Sequence, residues 1–348
     1  MLKRGNTVRK HDWRLDLIKI IAIIMVLYNH LYCYSFIFSY AMSEIGIIHY
    51  LLLIPSVLCK CGPPLFFMVS GVVLLGKNET YKKILSHRVS RILIVMIGIS
   101  VLNGIGEKSF SVIVSTFLGG LNWYLYAYLA FLLMLPIYRR IVQNFSDNDW
   151  IWFILIVAFL NGLQALMLEG NITFVTFSNM PMLVTEWASV SWHIIFPILG
   201  YGLYNKRELV KKKILNIGMV LSVFLGMMGI LIDIKIRGGA NFELMHQFFI
   251  VLPACAIFYF IICIKEKNTV SIQLLSCIAP KLAPLTFGMF LIDTHSGMRD
   301  KIYGLFFKEV IVGLHGVLAA WWIIIVLLVV YGIIVGCMRL IPIVKKVL

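Results

Sequence analysis

The chain has 348 residues, of which 61% are hydrophobic and 14% are charged, and its formal net charge is +15. Soluble globular domains have about 45–50% apolar and about 25% charged residues, so this composition excludes an ordinary soluble protein. Apolar runs of membrane-spanning length recur along the chain. We therefore expect one integral membrane domain over residues 1–348, with a basic cytoplasmic tail at residues 1–14.

The strong positive charge has a simple explanation in a membrane protein. Lysine and arginine cluster in short segments between the apolar runs, which is typical of cytoplasmic loops. We therefore expect contact with anionic membrane lipids and no nucleic-acid partner. The seven cysteines are mostly isolated within apolar segments, and Cys59 and Cys61 are too close together for an ordinary zinc-ligand pair. We expect neither a structural disulfide nor a metal site.

In chain order, the pattern predicts an all-α bundle of about ten transmembrane helices with both termini in the cytoplasm. The predicted spans are residues 17–38, 65–76, 92–106, 110–138, 150–168, 188–204, 214–232, 246–264, 282–294 and 312–338. An interfacial or re-entrant helix over residues 47–58 precedes the second span, because Pro63 and Pro64 interrupt the backbone there. An even number of spans places both basic termini on the same, cytoplasmic side.

The first span carries three ionisable residues on one helical stripe: Asp16, Lys19 and His30. At about 100° per residue, Lys19 and His30 lie within about 20° of each other, and Asp16 and His30 within about 40°. His30 is about 16 Å deeper than Lys19 at 1.5 Å per residue. Ionisable groups at this depth usually mark function, so we predict these three residues to be catalytic. The alternative is a cluster at a helix end with a hydrogen-bonded histidine in the core.

The segments beside the second and third spans contain candidates for binding an anionic donor. Arg88 and Arg91 lie one helical turn apart, and such a pair suits a phosphate-rich donor such as a coenzyme A thioester. Ordinary positive-inside charge is the alternative explanation. Ser70 and Gly71 are small enough for another helix to pack closely against them. A chemical role for Ser70 at the donor site is the second interpretation.

Candidates for binding an acceptor occur at the predicted outer ends of two later spans. Trp123 and Tyr124 begin an aromatic run that forms either an interfacial belt or the wall of a sugar site. Asp293, His295 and Arg299 follow each other at the end of the ninth span. Asp16 is too far along the first helix to touch His30, so a partner that orients the imidazole must come from another span. Asp293 and His295 are the candidates.

Several of these stretches resemble the bacterial membrane-bound acyltransferase type 3 family. RLDLIKIIAIIMVLYNH resembles its first helix, in which ten residues separate a basic residue from a histidine, and PLFFMVSGVVLL resembles its second-helix signature. Arg88 and Arg91 match the basic start of its third helix. NWYLYAYL and TFGMFLIDTHSGMR are similar to its fourth-helix start and to a late helix. Lys19 replaces the usual arginine, and Asp293 replaces the usual late histidine.

This resemblance implies an enzyme in the bacterial cytoplasmic membrane, with His30 as its essential histidine. It would transfer an acyl group, usually acetyl, from cytoplasmic acyl-CoA to a hydroxyl of an exopolysaccharide, a capsule or a lipid-linked glycan. Acetyl-CoA would be a co-substrate, and no cofactor would be bound permanently.

Two other classes of protein share some of these features. A transporter or flippase for a polysaccharide precursor or another amphiphile would explain the span count and the buried polar residues without any chemistry. It would not explain the acyltransferase-like positions of Lys19, His30, Arg88 and Arg91. A membrane sensor built on the same scaffold is the third possibility.

Overall fold

The computed structural model describes residues 11–33, 54–55, 57–157, 194–237, 250–265, 269–295, 299, 302, 317–342 and 344. All regular secondary structure in these ranges is helical. The main helices are α1 (Trp13–Tyr28), α2 (Gly62–Leu74), α3 (Tyr81–Gly106), α4 (Phe110–Ser115), α5 (Trp123–Asn144), α6 (Phe196–Asn205), α7 (Lys212–Arg237), α8 (Val251–Ile262), α9 (Val270–Leu282), α10 (Thr286–Thr294) and α11 (Val317–Met338). Residues 147–157 are also helical.

Within the described ranges, four helical stretches are long and apolar enough to cross a membrane: Tyr81–Gly106, Trp123–Asn144, Val270–Thr294 and Trp321–Met338. They agree with an all-α membrane protein, whereas the count of ten spans and the side of the termini stay predictions. Parts of the predicted tail, interfacial helix and spans lie outside the described residues, namely 1–10, 34–38, 47–53, 56, 158–168, 188–193, 246–249 and 312–316.

Three predicted helix boundaries are wrong. The fourth span is not continuous, because the helical segment from Phe110 ends at Gly120 and α5 begins at Trp123. The side chain of Asn122 accepts a hydrogen bond from the Tyr124 N–H and so caps α5. The third span begins at Tyr81 rather than residue 92, since the Thr80 hydroxyl accepts from the Lys83 N–H and caps a helix there.

The ninth span is the third correction. Its helical stretch starts at Val270 rather than residue 282, and it passes through the 3-10 turn Ala283–Leu285 into α10. Pro284 lies at the start of that turn, where a missing N–H costs little. The basic residue Lys281 therefore lies within a helix and not in a loop before the span.

Helix α1 is at the centre of the described part of the bundle. It contacts α2, α8, α9, α10 and α11, and its residues Ile18, Ala22 and Leu27 are fully buried. Gly62 at the start of α2 lies so close that a Cβ atom there would be 2.9 Å from the Ala22 carbonyl oxygen. Groups carried by α1 are therefore held by several helices at once.

Helices α2 and α6 also pack with their backbones in direct contact. A Cβ on Gly71 would lie 2.0 Å from the Pro197 carbonyl oxygen, and one on Gly200 would lie 2.4 Å from the Met68 carbonyl oxygen. Only glycine fits at such a contact. The prediction of close helix packing at Gly71 is confirmed.

The residues beside α1, the segment after α6 and the end of α8 meet at one end of the bundle. Arg14 donates from Nη1 to the carbonyl oxygens of Ile262 and Ile264, at 3.1 and 3.2 Å. Arg207 donates to the same Ile262 carbonyl at 3.1 Å, and the Tyr204 hydroxyl donates to Asp12 at 2.8 Å. These guanidinium groups satisfy carbonyls at the C-terminal end of α8, where cations are favourable.

Candidate functional site

A cavity of about 580 Å³ lies between α1, α2, α3, α5 and the turn before α10. Its volume is in the range of about 300–1,000 Å³ found for ligand pockets. The basic side chains in its wall come from two helices, α1 and α3: Lys19, Lys83, His87, Arg88 and Arg91. Among the described residues that line it, Glu79 is the only acid. This cavity, called the basic cavity below, therefore suits an anionic ligand.

Arg88 and Arg91 reach the basic cavity because α3 begins at Tyr81, so that both residues are helical. Arg88 donates to both carboxylate oxygens of Glu79, from Nε at 3.1 Å and from Nη2 at 2.7 Å. The same carboxylate accepts from Nη2 of Arg139 at 2.9 Å. Arg139 is buried and also donates from Nε to the Leu74 carbonyl oxygen at 3.0 Å.

Glu79 is thus clamped between two arginines, in the loop that joins α2 to α3. Hydrogen bonds from Arg88 and then Arg139 outweigh the effect of burial and lower the pKa of Glu79 to about 2. The carboxylate is therefore ionised at neutral pH. The lysines and arginines among the described residues of the cavity wall carry more positive charge than this one carboxylate can balance. Sequence reasoning missed both Glu79 and Arg139, because neither has a distinctive spacing.

Aromatic side chains form part of the wall of the basic cavity. Tyr124 stacks on Tyr128 with centroids 5.8 Å apart and meets the Phe290 ring edge-on at 5.0 Å. Tyr128 and Ser70 also line this cavity. Tyr124 therefore shares a cavity with the predicted donor-binding residues, although the sequence assigned it to the acceptor. Trp123 packs against the Tyr124 ring at 6.1 Å.

His30 lies in the π-helical turn Asn29–Cys33 that follows α1. Its Nδ1 is 2.5 Å from Oδ2 of Asp293, near the C-terminal end of α10. The Tyr331 hydroxyl of α11 donates to the other carboxylate oxygen, Oδ1, at 3.1 Å. Asp293 and Tyr331 are completely buried, and the side chain of His30 is 15% exposed. Of the two predicted partners, Asp293 is the one that contacts His30.

His295 belongs to a neighbouring group of polar residues. Its Nε2 is 2.8 Å from Oδ1 of Asn103, and both residues line a separate cavity of about 60 Å³ with Asn122 and Thr294. The backbone N–H of Arg299 donates to the His295 carbonyl oxygen at 2.9 Å. The predicted acceptor residues are therefore divided among the His30 contact, this small cavity and the basic cavity.

The three residues predicted to share one stripe of α1 also lie in two different places. Lys19 lines the basic cavity and donates from Nζ to Oδ1 of Asp16 at 3.1 Å. Asp16 also contacts Nε2 of His11 through its other oxygen, at 2.5 Å. His30 is about 16 Å further along the helix, at 1.5 Å per residue. Asp16 therefore lies beside Lys19 near the start of α1. This agrees with the expectation that it is too far along the helix to touch His30.

The contact between His30 and Asp293 determines what the imidazole can do. When Nδ1 donates to a carboxylate, the neutral ring carries its acceptor lone pair on Nε2. Such a nitrogen can act as a general base or as a nucleophile, and the carboxylate stabilises the imidazolium that forms. Helix α10 connects this pair to the basic cavity, because Phe290 lines the cavity one turn before Asp293.

The described ranges contain no group of three His, Cys, Asp or Glu side chains that could hold a metal ion.

Comparison with protein families places the chain in a known group. The model of the acyltransferase type 3 family, described as an acyltransferase domain, matches residues 12–339 of the 348. The match runs from the N-cap of α1 to the residue after α11, so it includes the basic cavity and the His30–Asp293 pair. No curated protein and no solved structure matched the chain.

Proposed function

The chain therefore belongs to the acyltransferase type 3 family, and from this premise we propose that it is a membrane-bound O-acyltransferase. It moves an acyl group, in the simplest case acetyl, from acyl-CoA to a hydroxyl of a cell-surface or lipid-linked saccharide. The observation that supports this best is one helix, α1, with Lys19 in the basic cavity and His30 in contact with Asp293. A phosphate-binding cavity and an oriented imidazole are the two parts that such a transfer needs.

In this proposal the donor enters the basic cavity from the cytoplasm. Arg88 and Arg91 bind its phosphates, with Lys19 nearby, because guanidinium groups give strong charge-assisted bonds to phosphate. Ser70 and Tyr124 line the route of the flexible arm that carries the thioester. Acyl-CoA is a co-substrate that leaves after each turnover, so no permanently bound cofactor is needed.

The chemical step uses His30 as a general base. Nε2 takes the proton of the acceptor hydroxyl while its oxygen bonds to the thioester carbonyl carbon. The adduct then breaks its C–S bond, and the imidazolium returns the proton to the leaving thiolate. Asp293 stabilises the imidazolium during this step through its contact with Nδ1. The products are an O-acyl ester and free coenzyme A, so atoms and charge balance without a further reactant.

The acceptor approaches the opposite end of the bundle from the donor. We propose that Trp123, His295 and Arg299 are nearest to its path, since His295 and Arg299 lie just beyond Asp293. The acceptor is an exopolysaccharide, a capsule or a lipid-linked glycan, and the enzyme is a multi-pass protein of the bacterial cytoplasmic membrane. Anionic lipids contact the basic segments at the donor end.

The test compares cells that lack this protein with cells complemented by the wild type or by His30→Ala, and measures acetylation of surface glycans. We expect acetyl groups to disappear, to return with the wild type and to stay absent with His30→Ala. Purified protein should also transfer or slowly hydrolyse labelled acetyl-CoA. Wild-type protein that does neither, but moves an amphiphile across vesicles, would replace the enzyme with a transporter.

A further inference from the structure

We propose that Tyr331 is a positioning residue that acts on His30 through Asp293. The inference rests on the proposed function, since it assigns Tyr331 a part in the step that His30 performs. Tyr331 lies on α11 in an apolar run, VVYGII, and nothing in its sequence context marks it as functional. Its hydroxyl donates to Asp293 at 3.1 Å, on the oxygen that does not contact His30.

The argument begins with the torsional freedom of an aspartate side chain. The χ2 torsion of aspartate is broad and roughly two-fold, so packing alone holds a carboxylate plane weakly. Of the described residues, His30 contacts one oxygen of Asp293 and Tyr331 donates to the other, so these two bonds both help to fix that plane. Loss of the hydroxyl would hold the carboxylate less firmly, and the orientation of the imidazole would become less precise.

Burial makes this hydrogen bond more important. Asp293 and Tyr331 both have 0% exposure, so water does not reach the carboxylate to replace a missing donor. A buried polar group depends on the hydrogen bonds that the protein supplies. The three residues also come from three different helices, so Tyr331 ties α11 to the α1–α10 contact.

The test is Tyr331→Phe in the full-length protein, assayed with acetyl-CoA and the acceptor glycan. We expect kcat to fall about tenfold, the size expected when one hydrogen bond to a charged group is lost, with KM for acetyl-CoA within about twofold. The KM expectation follows because Tyr331 does not line the basic cavity. A purely structural role would lower the melting temperature and the amount of active protein, without this division between kcat and KM.

The matched control is Tyr204→Phe. The Tyr204 hydroxyl also donates to an aspartate, Asp12, at 2.8 Å, but at the donor end of the bundle. This variant removes the same kind of bond and should leave kcat unchanged. An equal fall in kcat for both tyrosine variants would overturn the positioning role.

A double-mutant cycle with Asp293→Asn gives the sharper result, measured as single turnovers so that slow rates can be followed. If Tyr331 acts through Asp293, Tyr331→Phe should slow the Asp293→Asn protein by less than twofold, because coupled residues are non-additive. Equal effects in both backgrounds, or a wild-type kcat for Tyr331→Phe, would refute the proposal.

Two further variants answer the same question if Tyr331→Phe does not accumulate. Tyr331→Gln keeps a hydrogen-bond donor, whereas Tyr331→Leu has none, so Gln should retain the higher kcat at equal stability. No difference between them would overturn the proposal. Failure of the proposed function looks different, because wild-type protein would then show no transfer or His30→Ala would keep it in the same series.

Discussion

The basic cavity differs in construction from the group of His30, Asp293 and Tyr331, called the His30 cluster below. The cavity has a volume of about 580 Å³, and among the described residues in its wall the lysines and arginines exceed the one acid, Glu79. In the His30 cluster, Asp293 and Tyr331 are bonded to each other and completely buried, and the side chain of His30 is only 15% exposed. Excess positive charge in an open cavity can be balanced by an anionic ligand. Buried polar groups that are hydrogen-bonded to each other instead hold a side chain in one position. The first region therefore predicts effects on binding, and the second predicts effects on the rate of the chemical step.

The largest expected effect distinguishes His30 from His295. His30→Gln should lower kcat by about 10²- to 10⁴-fold, the usual contribution of a general base, with little change in KM for acetyl-CoA. His295→Gln, whose histidine bonds Asn103 and not Asp293, should lower kcat by less than tenfold. Steady-state transfer rates of the two purified variants check this, and a folded His30→Gln protein with full activity would contradict it.

The second prediction concerns the basic cavity. Arg91→Gln should raise KM for acetyl-CoA about tenfold, as expected for loss of a charge-assisted hydrogen bond, and should leave kcat nearly unchanged. The KM of the wild type should also rise with ionic strength, and that dependence should be weaker in the variant. Arg140→Gln is the control, because this exposed arginine of α5 does not line the cavity. A fall in kcat with constant KM would remove the distinction between the two regions.

The third prediction concerns the packing of α2 against α6 rather than either region. Gly71→Ala should destabilise the protein by about 1–3 kcal/mol, because its Cβ would be 2.0 Å from the Pro197 carbonyl oxygen. Gly98→Ala in α3 should be neutral or slightly stabilising, since a Cβ there has no neighbour within 4 Å. Thermal unfolding in detergent measures both. Equal melting temperatures for the two variants would contradict the tight α2–α6 contact.

The smallest expected effect is the pH dependence due to Glu79. Its pKa is lowered from 4.5 to about 2, so the stability it contributes is fully present above about pH 4.5. That contribution should disappear as the pH falls from about 4.5 to about 2, when protonation breaks the ion pairs with Arg88 and Arg139. Glu79→Gln should lose less stability over this range than the wild type. Glu107→Gln, at the exposed end of α3, should follow the wild-type curve.

Much of the candidate site was predictable because several of its residues lie at helical spacing along a single helix. The stripe on α1 and the pair Arg88 and Arg91 follow from helical periodicity alone. Asp293 was predicted as one of two partners for His30 because Asp16 is too distant along the helix. Tyr331 and Arg139 could not be found this way, since each acts on a residue far away in the sequence.

The amino-acid sequence alone determined that this is a helical membrane protein, and its motifs indicated the acyltransferase family. Composition and periodicity carry this information because a bilayer requires apolar helices of a certain length. Only the tertiary structure decided that Asp293 rather than His295 meets His30, and that Tyr124 shares a cavity with Arg88. These outcomes depend on how helices rotate and pack against each other, which no local pattern specifies.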